Sequence, residues 1–512
     1  MNGKLKFLYF AGVLYFILAA VSCPIKGGEK VIPSDNSDEE LDFSDAVFVS
    51  TTGTDSPSSG LSSADPCRTI DYGVNRAFAE SRSWVYIQSG EYQETVTLKE
   101  GISLRGGFNS GWDLGPYLDD AHRVEIHGGF YAAENQYVSL IVHQIDLKVF
   151  IADLVIFGPD ASGTDGGTGR STYAVHVSES PQLVLDNIRI TGGTASNGTD
   201  GADGSSAIQD SASDGSPGGD AEELTGGVCN DSFQPGGAGG GTGGRKGGDG
   251  GNGGKADTNC GAWPWENDLD ATEGEDGKSN ADGLAGGPGG SEDQDGDDGQ
   301  TPESDHGSGG SGASADGTVI SGYWVPSDSH GSVGMLGEDG YGGSGGGGSG
   351  GSDVGYDCLG SSGGGGGSGG LRAPEAGTGG GTGGSSFAVL CVDSVLTVKN
   401  VQIDLGTGGS GGDGGSGGKG QPGGSGASGG DAYGLTGGSG GDGADGGDSG
   451  GGGGGAGGNV YGIYLNSSTS NIESVEYING TAGDGGDGGT VSGNTADGSQ
   501  GSSGTVSNYL SL

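Results

Sequence analysis

Proline, basic side chains and long apolar runs are what this 512-residue chain has little of. Only 15 prolines stand against 128 glycines. That excludes a collagen triple helix, which needs abundant proline as well as a glycine period, and a quarter of the chain as glycine also excludes one ordinary globular core throughout. Lys and Arg number 20 against 68 Asp and Glu, a formal charge of −48. Such acidity argues against nucleic acid as a partner and against attraction to anionic lipid headgroups. The six cysteines contain no Cys-x-x-Cys, so no zinc site is indicated. Serine-nucleophile and phosphate-loop patterns are missing too.

What is present is a repeat. Apolar pairs two residues apart, Leu154/Ile156, Ile188/Ile190, Val401/Ile403 and Val475/Tyr477, each stand shortly before a glycine-rich run. Self-similarity of this kind marks an array in which each unit buries its apolar face against the next. Within the runs glycine recurs every third residue, at 408 to 429, 241 to 253 and 434 to 446, often as Gly-Gly-x. Three residues per turn is the polyproline II repeat, at about 3.1 Å per residue, and glycine would let neighbouring strands of it pair through their backbones. That arrangement resembles the polyglycine II bundles of some antifreeze proteins and phage tip adhesins, and the runs are PGRS-like in composition. The competing expectation is a flexible loop, because ordering glycine costs the most entropy; the broken triplets of 192–384 favour it there.

The order of elements divides the chain into 1–22, an export signal; 23–45, an acidic tether; 46–191, strand coils; 192–384, a Gly/Ser/Asp-rich insertion; 385–405, a coil; 406–458, a second insertion; 459–480, a coil; and 481–512, a glycine-rich end. Ile70, Val74, Ala77 and Phe78 are spaced for one face of a short helix ending near Ser81. The stretches VFVSTTGTD, ADPCRTI, VYIQSGEYQETVTL and GISLRGGF, over roughly residues 47 to 110, resemble the opening of DUF1565-type, pectin-lyase-like proteins. The resemblance implies an all-β fold, a right-handed parallel β-helix with a short N-terminal helix; because each insertion follows the equivalent strand of the repeat, the long glycine-rich loops are expected to leave the stack at one corner. It says little about activity.

Lys4 and Lys6, the apolar run Phe7 to Val21 and Ala20-Val21-Ser22-Cys23 resemble a bacterial lipoprotein signal, with Ala20 where Leu is commonest. That resemblance implies lipidation of Cys23, a membrane partner reached through the N-terminal lipid, and an envelope location at the outer membrane surface. An ordinary secretory signal is the alternative. Cys229 and Cys260 bracket a glycine segment and are the pair expected to form a disulfide.

Asp153, Asn187, Asn400 and Ser474 precede the second strand of each pair, where Asn and Asp suit a corner because they tolerate left-handed backbone. Asp293, Asp295 and Asp297 alternate as calcium-loop oxygens do, but Gly at the sixth position and a carboxylate at the twelfth are missing, so a solvated acidic loop competes and no other cofactor is indicated. Trp263, Trp265, Tyr323 and Trp324 are aromatic islands in polar sequence, suited to a glycan or matrix contact or to pinning an insertion against the coil wall. Polysaccharide cleavage would need paired aspartates or a calcium-carboxylate cluster with an Arg base. The nearest constellation is Asp119-Asp120 with His122 and Arg123, which a polar turn explains as well, while His127, His143, His176, His306 and His330 are scattered. The expectation is a non-enzymatic surface lipoprotein that presents glycine-rich loops for adhesion to an extracellular matrix or glycan ligand. A uronate lyase or hydrolase and a passive coat protein are the alternatives.

Overall fold

In the computed structural model the residues described are 41–223, 232–256, 258–260, 267–352, 358–491, 493 and 496–512. They are mostly strand, arranged in parallel sheets with little helix. One sheet stacks Ala46–Val49, Trp84–Gln88, Ser103–Phe108, Val149–Ala152, Leu183–Asp186, Val395–Lys399 and Thr469–Ile472. A second stacks Gly90–Gln93, Val124–His127, Val155–Phe157, Arg189–Thr191, Val401–Asp404 and Val475–Ile478. A third stacks Val96–Thr97, Gln136–His143, Thr172–Ser178, Ser386–Val392, Val460–Asn466 and Val506–Ser511. From Gln136 onward the chain visits the third, first and second sheets in turn, then repeats. Every long glycine-rich run therefore lies between a strand of the second sheet and the next strand of the third, the common exit that the repeat predicts.

Short β-branched runs suit this plan because alternate residues face one shared interior. Val149, Leu183 and Leu396 are in register, as are Ile151, Leu185 and Val398, and all are buried in a core that all three sheets line. A one-residue slip would put Phe150, Val184 and Thr397 inside instead, so the apolar alternation sets the register. Asp153, Asn187 and Asn400 have φ of 56°, 52° and 50°, the left-handed backbone expected of these corners. Asn187 Nδ2 donates to Asp153 Oδ1 at 2.6 Å, linking successive repeats. Ser474 takes the equivalent place between Thr469–Ile472 and Val475–Ile478, where the chain turns without a positive φ. The corner between the third and first sheets is left-handed as well, at Gln144, Glu179, Asp393 and Ser467. Beside it, Ser180 N donates to Ser394 Oγ at 2.8 Å and Ser394 N to Ser468 Oγ at 2.9 Å, a buried serine ladder.

The helix Ile70–Ala79 (α1) covers the start of the stack. Thr69 caps it, and Glu94 accepts from the amides of Ile70 and Asp71 at 2.8 and 2.9 Å, where the helix dipole favours a carboxylate. Ile70, Val74 and Ala77 are buried as the spacing predicts. Phe78 is not: it is 53% exposed, with the Lys99 ammonium over its ring, since it lies one residue past the buried stripe.

The described glycine-rich runs are ordered by hydrogen bonds, those within 192–384 as well as those within 406–458. Gly198, Gly201, Gly204 and Ala207 donate to Ser410, Asp413, Ser416 and Lys419, one backbone bond every third residue between parallel segments. Past the break in the triplets the pairing resumes with Ala212 to Pro422 and Gly215 to Ser425, two residues out of step. The broken triplets that favoured disorder are thus accommodated by a local slip around 208–211. Each turn of a three-residue repeat points its amides in three directions. Gly411 N donates to Asp484 O, Gly412 N to Gly381 O, and Asp413 N to the side chain of Asp200.

How many glycines a triplet needs follows from how many sides of the segment are covered. At the rim, 198–204 has one per triplet; 408–418, covered on more sides, has two. Gly363 to Gly367 is continuous glycine because bonded segments surround it, its amides donating to Gly251, Ser216, Gly248 and Gly441 and its carbonyls accepting from Gly346, Ala427 and Gly240. A Cβ at Gly365 would lie 2.5 Å from the Ala238 carbonyl carbon, and one at Gly366 would lie 2.5 Å from that of Gly343. No side chain fits at that approach. The acidity has a structural role at the rim. Asp200, Asp203, Asp214 and Asp220 accept from Asp413, Ser416, Ser425 and Asp431 amides at 2.7–3.0 Å, and Asp442, Asp445 and Asp448 accept from Gly426, Gly423 and Gly420. These carboxylates replace the backbone carbonyl that a further segment would have supplied.

Candidate functional site

The outer face of the third sheet carries an aromatic stack. Tyr173, Phe387 and Tyr461 stand at matching positions of successive strands, with ring centroids 5.2 and 5.0 Å apart and near-parallel planes. Being covered outside as well as inside, Thr172–Ser178 and Ser386–Val392 are buried along their whole length. The cover is a hairpin from the long insertion, Gly317–Ile320 with Tyr323–Pro326. Trp324 drives into the stack against Phe387, Tyr461 and Tyr464, and its backbone amide donates to the Tyr173 hydroxyl at 3.2 Å. Tyr323 stacks on His176 with centroids 4.2 Å apart, and its hydroxyl donates to Glu134. Burial, then the Glu134 carboxylate, pushes that phenol above its ordinary range, so it remains a donor. Of the two expectations for these aromatics, anchoring of an insertion is what Tyr323 and Trp324 do; Trp263 and Trp265 lie outside the described residues.

Beside the hairpin is a cleft of about 720 Å³. Glu134, His143, Ser178, Glu179, Asp393 and Asn466 supply its polar lining, and Ile141, Val392, Val319 and Ile320 supply apolar wall. His176 also lines it, 3% exposed, with Nε2 at 2.8 Å from the Gly322 carbonyl. A carbonyl only accepts, so Nε2 carries the proton and Nδ1 is a buried acceptor without a partner among the described residues. Burial holds the imidazole below its ordinary pKa, hence neutral. His143 Nδ1 is 2.8 Å from Ser178 Oγ. The sequence scattered these histidines; the parallel register brings His143 and Ser178 side by side.

The remaining sequence candidates lie elsewhere. Asp119, Asp120, His122 and Arg123 share one turn, with His122 3.4 Å from Asp119 and Arg123 bridging Asp120 and Glu125 at 3.1 and 2.9 Å. These are local ion pairs at a polar turn. Asp293, Asp295 and Asp297 are exposed, Asp293 in a turn with a φ of 57°, and Asp295 Oδ1 accepts from the Thr436 amide at 2.7 Å. Among the described residues no group of three or more His, Cys, Asp or Glu is placed to hold a metal ion. Cys23, Cys229 and the Cys260 side chain fall outside the described residues. Cys67 and Cys391 are buried thiols; burial raises the pKa of both, Cys391 to about 11. No helix among the described residues is long and apolar enough to cross a membrane. Comparison of the chain with protein-family models, curated proteins and solved structures gives no match.

Proposed function

We propose that this chain is a non-enzymatic, lipid-anchored surface protein in which a right-handed parallel β-helix carries a rigid polyglycine II bundle as its adhesive surface. Three parallel ladders visited in a fixed cyclic order around one core support the β-helix, and right-handed crossover is the rule for parallel strands. Triplet glycines bonded in three directions support the bundle. This reading adopts the DUF1565-type resemblance for the coils and the lipoprotein resemblance for Cys23.

The observation that carries the functional reading is the order in the insertions. Segments of such length are costly to order, since each residue gives up roughly 1–2 kcal/mol of backbone entropy. Here they end in faces where Asp, Ser, Thr and Asn recur every third residue, about 9 Å apart along a segment. A fixed polar lattice offers repeated weak contacts to a matrix or glycan surface, and repetition converts weak contacts into avidity.

The test is a glycan and matrix-protein array probed with the full chain, run beside an assay for uronate release. Binding without turnover is expected. Unsaturated or hydrolysed uronate product would overturn the reading in favour of a polysaccharide-active protein, and inertness in both would leave a passive coat.

A further inference from the structure

Cations are scarce in this chain, yet two of them stand together with apolar side chains near the start of the stack, at the corner between the third and first sheets. Leu147 there is 57% exposed and Phe78, at the end of α1, is 53% exposed. The Lys99 ammonium lies over the Phe78 ring at 5.5 Å and the Lys148 ammonium over the Phe150 ring at 4.8 Å. Phe150 stacks on Trp84 with centroids 6.1 Å apart, and Leu147 packs over Gly101, 3.3 Å from where a Cβ would stand. Neither lysine has a carboxylate partner among the described residues. The nearby acids are engaged: Glu100 accepts from the Asp146 and Leu147 amides at 2.9 and 2.7 Å, and Glu80 pairs with Arg76 at 2.8 Å. Asp146 offsets one lysine, which leaves apolar area as the main attraction.

Exposed Phe, Leu and Trp rimmed by lysines that rest on apolar rings match the composition of a bilayer contact, where rings enter the interface and ammoniums reach phosphate. The path of the chain favours lipid over a protein partner. Leu41 and Phe43 pack on the first-sheet aromatics, of which Tyr86 touches Trp84. Cys23 stands 18 residues before Leu41, a reach of at most about 60 Å. Lipid attachment becomes firm when a second contact adds to the first.

We propose that this corner docks on the surface of a lipid bilayer as a second contact beside the Cys23 lipid. The proposal rests on the lipid-anchored reading only in placing the chain at a membrane. Charges farther away than a Debye length, about 8 Å at physiological salt, are screened, so the headgroups meet Lys99 and Lys148 rather than the total of −48.

Residues 41–512, a compact unit by themselves, are floated with phosphatidylcholine vesicles made with and without phosphatidylglycerol. This unit lacks Cys23, so the result is independent of acylation, which the mass of the N-terminal peptide of the full chain tests separately. Flotation with both vesicles is expected, stronger with phosphatidylglycerol. Leu147→Ser and Phe78→Ser should each weaken it about fivefold, the scale of half-burying one such side chain. Lys148→Gln should weaken it about fivefold on the anionic vesicles alone. Met335→Ser, 64% exposed in the glycine layer, should change nothing. All four side chains are exposed, so thermal melts should show the variants folded. The proposal fails if the unit does not float, or if Met335→Ser weakens flotation as much as Leu147→Ser. It fails equally if sedimentation shows a dimer that Leu147→Ser dissolves, because the corner then faces a second copy.

Discussion

Gly365→Ala tests the glycine layer at its most enclosed point. The new Cβ would stand 2.5 Å from the Ala238 carbonyl carbon and 2.9 Å from the Gly237 oxygen, both backbone. Ordinary carbon contacts lie at about 3.5 Å or more, so the neighbouring segment must retreat by about 1 Å. That segment is held by Gly237 to Gly363, Gly240 to Gly366 and Gly244 to Gly369, bonds of 2.9, 2.9 and 2.6 Å. Weakening them at about 1 kcal/mol each costs roughly 3 kcal/mol, or about a hundredfold in the local opening equilibrium. Gly241→Ala is the counterpart. It lies in the same segment as Gly237 and Gly240, with nothing within 4 Å of an added Cβ and no positive φ. There alanine only restricts the unfolded chain, a gain of about 0.4–1 kcal/mol. Amide exchange is the suitable assay, because long arrays do not unfold in one step. Exchange at residues 236–244 and 360–370 should accelerate about a hundredfold in Gly365→Ala and slow slightly in Gly241→Ala. Equal behaviour of the two variants, or millisecond exchange of these amides in the unaltered protein, would refute the packing argument.

Other expectations follow from the same structure. Trp324→Ala should cost about 3 kcal/mol at the hairpin and release it from the aromatic stack, seen as faster exchange at 317–326 with the coils unaffected. Asn400→Ala should destabilise the coil by about 1 kcal/mol while Asn400→Gly changes it little, as thermal melts would report, because only alanine is strained at a φ of 50°. His176 is held neutral by burial, with Glu134, His143, Tyr173 and Tyr323 around it. Its folded pKa lies below the ordinary 6.5, so the unfolded chain binds more protons between the two values, and stability is full above pH 6.5 and falls as pH drops below it. His176→Gln should flatten that dependence in urea titrations between pH 7 and 5. Asp200→Ala should speed exchange of the Asp413 amide, whereas Asp200→Asn, which keeps the acceptor, should not.

Much of the architecture was legible because it rests on local chemistry. Alternation in Val149–Ala152 and Val401–Asp404 is a period-two signal with one fully buried face, and Asp153, Asn187 and Asn400 are residue types that left-handed corners select. The Ser180, Ser394 and Ser468 ladder carried a signal, a serine two residues after Thr172–Ser178, Ser386–Val392 and Val460–Asn466, that only the register made meaningful. Phe78 misled because an apolar residue beside a buried stripe looks like part of it.

By itself, then, the sequence determined the period, the corners and the common exit of the insertions, since each depends on steric preferences of a few neighbouring residues. The tertiary structure alone decided three other things. It decided whether the glycines are ordered, because a glycine segment has no side chains to hold it and gains its bonds only from segments distant in the chain, as Gly365 does from Ser216. It decided that rim aspartates serve as amide acceptors, because that depends on which side of a segment is left uncovered. It also made the cleft, because Glu134, His176, Tyr323 and Asp393 meet only when a hairpin from the long insertion folds back onto the coils.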